Sequence, residues 1–127
     1  MTLYQSFVNY LQKKNIPKES GSSEGTILFK YNNLNYVFVY DVEEPYYFRL
    51  LLPRISDCND GNDIGLYRYA LELSNKYKVG KMVIINNSIW VSFEQIVMNP
   101  NADNDFIYDM AIRVLSSFRK SFSQYHK

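Results

Sequence analysis

Apolar and polar positions alternate along this chain in two different periods, and the switches between them divide it into elements. Leu3, Phe7, Tyr10 and Leu11 recur at helical spacing with Gln5, Ser6, Asn9 and Lys13 between them. That predicts an amphipathic first helix over about residues 2–15, stopped by Ile16-Pro17. The stretch PKESGSSEG, 17–25, has loop chemistry and reads as a mobile connector. The period then changes to two. TILFKYNNLNYVFVYDVEEPYYFRLLLPRI is β-branched and aromatic, broken only at NNLN and VEEP, and predicts three strands in an antiparallel meander. Alternation places Ile27, Phe29, Tyr31, Tyr36, Phe38 and Tyr40 on one face and Thr26, Leu28, Lys30, Val37, Val39 and Asp41 on the other. This holds whether the asparagine turn is two or four residues long, because both registers keep the same parity.

Helical spacing returns with Leu66, Tyr69, Ala70, Leu73 and Tyr77, predicting a second helix over about 62–77. KMVIINNSIWVSFEQIV, 81–97, is a hairpin with its turn at Asn86, Asn87 and Ser88. A long last helix carries Ile107, Met110, Ala111, Val114, Leu115, Phe118 and Phe122 on one stripe. Asp103 and Asp105 lie near its positive end, and Arg119 and Lys120 toward its negative end. The order α-βββ-α-ββ-α predicts an α+β two-layer sandwich, a five-stranded antiparallel sheet packed against helices. All 127 residues are expected to form a single domain.

Composition adds one point. Twelve Tyr, eight Phe and Trp90 are many rings for this length, and tyrosine suits half-exposed surfaces and interfaces. Both faces of the meander are apolar, since the third strand adds Phe48, Leu50 and Leu52 on one side and Tyr47 and Leu51 on the other. Three helices cover one face of such a sheet, so a partner subunit or a bound segment is expected to cover part of the other. Fourteen basic and thirteen acidic residues leave a net charge of +1, which removes the bulk electrostatic case for nucleic acid or an anionic membrane. No run reaches the roughly 20 apolar residues of a membrane-spanning helix. The opening MTLYQSFVNYLQKKN lacks the form of a secretory signal, so a cytoplasmic location is expected.

Candidate chemistry is sparse. SDCNDGNDIG, 56–65, is the most site-like stretch, but with Gly61 at the sixth position of a calcium loop the ligand positions fall on Ser56, Cys58 and Tyr67. It reads instead as a bend in which Asp60, Asn62 or Asp63 caps the following helix. Cys58 is the only cysteine, and His126, the only histidine, sits one residue from the end, too exposed to fraying to serve as a catalytic base. Asp41, Glu43 and Glu44 flank Pro45 in a solvated connection, and GSSEG lacks the Lys-Ser/Thr of a phosphate loop. Lys13, Lys14 and Lys18, and again Lys76, Lys78 and Lys81, cluster at helix ends. Beside an aromatic sheet they leave single-stranded nucleic-acid binding as an alternative, and a small enzyme of unknown reaction as another. The expectation is a chain that is not an enzyme, with no catalytic residues, metal or cofactor.

From Leu3 to about Gln124 the length and element order resemble the type III secretion chaperones of the Tir chaperone class and the YbjN-like family. The resemblance implies a bacterial homodimer paired through the second helix and nearby strands, which places Leu66, Tyr69, Leu73 and Trp90 at the dimer interface. It further implies that extended segments of a protein client or regulatory partner bind an apolar sheet patch, here Phe29, Tyr36, Phe38 and Phe48. Chaperones of that class are acidic, whereas this chain has a pI near 7.8, which puts the YbjN-like group level with them. The function expected is a non-enzymatic protein-binding module, chaperone-like or regulatory.

Overall fold

Helix α1 (Leu3–Lys13) begins at a capping box: Gln5 N–H donates to Thr2 Oγ1 at 3.2 Å, and Thr2 N–H donates to Gln5 Oε1 at 3.1 Å. It ends before the proline. Asn15 takes φ 57°, and the N–H groups of Asn15 and Ile16 donate to the carbonyls of Gln12 and Leu11 at 3.1 and 2.9 Å. This is a Schellman closure with asparagine in the left-handed position. In this computed structural model the structure describes residues 1–21, 23–57, 68–72, 80–85 and 88–123.

Among the described residues the sheet has six strands, not five. β1 (Lys18–Ser20) pairs antiparallel with β2 (Thr26–Tyr31), Glu19 opposite Leu28, so the stretch read as a mobile connector supplies an edge strand. All three of its residues are exposed. It pairs through backbone alone, without the alternation that marks a half-buried strand. β3 (Leu34–Tyr40) follows β2 through Asn32 and Asn33, both at positive φ (50° and 64°), the two-residue turn whose twist matches a hairpin. β4 (Tyr47–Asp57) pairs with β3 on one side and with β6 (Ser88–Ile96) on the other, and β5 (Gly80–Ile85) forms the far edge. The spatial order is β1-β2-β3-β4-β6-β5, antiparallel throughout.

Among the described residues three helices accompany this sheet: α1, the helical residues 68–72 (α2), and α3 (Asp105–Phe122). α2 falls within the predicted second helix. The proposed caps Asp60, Asn62 and Asp63, and most of the SDCNDGNDIG stretch, lie outside the described residues.

One buried cluster joins the helices to one sheet face. Phe7 of α1 stacks on Phe38 with ring centroids 4.2 Å apart and planes 4° from parallel, and meets Tyr108 of α3 edge-on at 5.0 Å. Around them lie Leu3, Leu11, Ile27, Phe29, Tyr36, Phe48, Leu50, Phe93, Leu115 and Phe118. The buried stripe of α3 is Tyr108, Ala111, Ile112, Leu115, Phe118 and Phe122. Ile107, Met110 and Val114, expected at its centre, are only partly buried beside it. Tyr108 takes the deep position because its hydroxyl donates to Ser6 Oγ of α1 at 2.9 Å, satisfying the polar end of an otherwise apolar ring. At the start of β5 a Cβ on Gly80 would lie 3.1 Å from Val114 Cγ1, so strand and helix meet closely there.

Candidate interaction surface

Pairing register decides which residues each sheet face presents. Opposite the helices, β2 and β3 show Thr26, Leu28, Lys30, Val37 and Val39, while β4 shows Tyr47, Arg49 and Leu51. β6 adds Trp90, Ser92, Glu94 and Ile96, and β5 adds Lys81 and Val83. The described helices pack on the other face. No described helix covers this one, where Leu28 is 38% and Ile96 61% exposed. Leu51 and Ser92 are nonetheless buried, and Leu51 lies outside the main core cluster.

The open face is not uniformly apolar. Lys81 Nζ lies 3.0 Å from Glu94 Oε2, and Arg49 stands opposite Glu94 across β4 and β6. Burial alone would raise the Glu94 carboxyl, but hydrogen bonds from Lys81 and Tyr47 hold it below the usual carboxylate range. Burial, with the bond to Glu94 second, pushes the Tyr47 hydroxyl up to about 12. Beside this group Val39, Asp41, Glu44, Tyr47 and Arg49 line a cleft of about 300 Å³. Apolar side chains thus dominate toward β2 and β3, and a charged group occupies the middle strands.

β4 breaks register on this face. Leu52 pairs with Val91 and Ser56 with Ile89, so Pro53, Arg54 and Ile55 all oppose Trp90, and Arg54 sits at φ 54°. Proline has no N–H for the ladder, which favours the bulge at this point. Trp90 Nε1 is buried there with no acceptor among the described residues.

These facts place the expected site residues. Phe29, Tyr36, Phe38 and Phe48 do lie on one face together, but it is the helix-covered face, and none is more than 4% exposed. The patch expected to receive a client is filled by the chain's own α1 and α3. The reason is ring size: these side chains release the most apolar area when buried, so the helices settle on them. Of the four residues placed at a dimer interface, Tyr69 packs on α3, its hydroxyl donating to the Ser121 carbonyl at 2.6 Å and its ring 5.6 Å from Phe122. Trp90 alternates onto the opposite face of the sheet. Leu66 and Leu73 lie outside the described residues.

The open-face residues Leu28, Val37 and Val39 were not singled out from the sequence. The signal for them was the polar company of Thr26, Lys30 and Asp41 in the same parity, which marks the solvent side of an antiparallel sheet.

Helices on one face of an antiparallel sheet, with no described helix on the other, define an α+β module. Among solved structures, the chain is similar to YbjN from E. coli, a protein put forward as a transcription regulator. The match has a TM-score of 0.68 over 91% of this chain and 86% of that one, at 7% identity. The fold is YbjN-like. No family model and no curated protein matches the sequence.

Proposed function

We propose that this chain is a non-enzymatic protein-binding module, chaperone-like or regulatory, that acts as a homodimer and holds an apolar segment of a partner protein on the open sheet face. The observation that supports this reading is the grouping of Leu28, Val37 and Val39, exposed or half-buried, on a face that no described helix covers. Contiguous apolar surface of this kind is characteristic of interaction sites. The outer edges of β1 and β5 offer backbone groups for pairing with an added strand. The likeness to YbjN supports a regulatory or binding role at the level of the fold. Trp90 stays in the proposed dimer contact, on the face opposite the helices and beside the β4 bulge.

The test is native mass spectrometry of the chain purified gently from its own host, beside a Leu28→Asp/Val39→Asp variant. The expected result is a mass near twice 15.0 kDa with an additional polypeptide, which the variant loses while its melting temperature holds. A bare monomer from both preparations would overturn the reading.

A further inference from the structure

We propose that the cleft between the end of α1, the middle of α3 and the β2–β3 turn binds a small ligand through an oxyanion, a carboxylate or phosphate group. The cleft has a volume of about 360 Å³, within the range of small-molecule sites. It opens on the helix side, away from the open sheet face, so its test leaves the protein-binding proposal standing or falling independently.

Its hydrogen-bonding groups are unbalanced. Tyr36 lines it and is only 1% exposed. Its hydroxyl makes no hydrogen bond among the described residues, yet is not sealed from solvent as Trp90 Nε1 is. Burial, with Tyr31 nearby, pushes that hydroxyl up to about 12, so at neutral pH it keeps its proton as a donor. Tyr31 acts electrostatically on both Tyr36 and Tyr10, which brings three phenols around one space.

Among the described residues the one carboxylate lining the cleft is Asp109, and one of its oxygens is engaged. Asp109 accepts from the Tyr10 hydroxyl at 2.5 Å and lies 3.7 Å from Lys14 Nζ. Arg113, one turn further along α3, lines the same space and forms no ion pair among the described residues. Lys14 and Arg113 against Asp109 leave one positive charge in excess. A buried phenol with no partner among the described residues, beside a guanidinium fork, suits a planar or tetrahedral oxyanion.

The experiment titrates inorganic phosphate and acetate separately into the full chain at pH 7, with sodium chloride at matched ionic strength as the reference, read by ¹H–¹⁵N NMR. Saturable shifts are expected at the amides of Asn32, Tyr36 and Arg113. Tighter binding of phosphate assigns a phosphate ester, and tighter binding of acetate a carboxylate. Arg113→Gln is expected to weaken binding about tenfold or more. Tyr36→Phe, which keeps the ring and hence the dispersed spectrum, is expected to weaken it too. Lys30→Gln, on the opposite sheet face, leaves it unchanged. Absence of saturation beyond the chloride reference, or an equal loss in the Lys30 and Arg113 variants, would overturn the proposal.

Discussion

Gly25 and the pair Ser6–Tyr108 show how narrowly single positions are determined. Gly25 sits at φ 81°, and a Cβ there would come within 2.1 Å of the Tyr40 carbonyl oxygen, while its own carbonyl accepts from Tyr40 N–H at 2.9 Å. A side chain thus meets both left-handed backbone and a clash with backbone that cannot move aside. Gly25→Ala is expected to cost about 2 kcal/mol or more, read from the urea midpoint at constant m-value. The bond from Tyr108 to Ser6 crosses the α1–α3 contact inside the core. Ser6→Ala strands a buried hydroxyl and is expected to cost about 1–3 kcal/mol. In Ser6→Ala/Tyr108→Phe the stranded group is gone, so the double variant should recover part of that loss. If the two single losses simply add, the bond carries no coupling.

At the scale of elements, faces and edges carry the argument. β2 and β3 were legible because period-two alternation survives either turn length, and the Asn32-Asn33 turn then settled the register. β1 was not legible, since three exposed residues held by backbone pairing leave no hydrophobic signature. On the open side, β5 and β6 are joined by the Lys81–Glu94 pair. The Glu94 carboxyl titrates lower in the folded chain than in the unfolded one, where it sits near about 4.3. Its contribution is therefore present above that value and is lost as pH falls through the folded value. Urea midpoints at pH 7 and pH 3 should show wild type losing somewhat more stability than Glu94→Gln, by less than about 1 kcal/mol for a partly exposed pair. An equal loss in both would mean that Glu94 contributes nothing to the acid limb.

For the whole molecule, the question is which sheet face remains free. Leu28→Asp and Val39→Asp place charge on the open side, where no described helix must be displaced, so each should shift monomer stability by less than about 1 kcal/mol. Phe38→Asp, at 0% exposure beneath α1, should abolish cooperative folding, because it buries an unpaired carboxylate. Thermal melts of the three variants separate the two faces directly. A collapse of Leu28→Asp comparable to that of Phe38→Asp would show that the open face is also core.

The sequence by itself determined the α+β class, five of the six strands, the first and last helices and the partition of meander residues between two faces. Those follow from local periodicity, capping and turn chemistry, which neighbouring residues set among themselves. Periodicity alone did not fix which face the helices would take, although Thr26, Lys30 and Asp41 made one parity the more polar. That choice depends on the packing of α1 and α3 together, through contacts such as Phe7–Phe38, Phe7–Tyr108 and Tyr108–Ser6 between residues far apart in the chain. The cleft around Tyr36, Asp109 and Arg113 is likewise tertiary. Its lining comes from the end of α1, the β2–β3 hairpin and α3, segments far apart in the chain, so only the closed core brings the buried Tyr36 phenol and the Arg113 guanidinium to the same space.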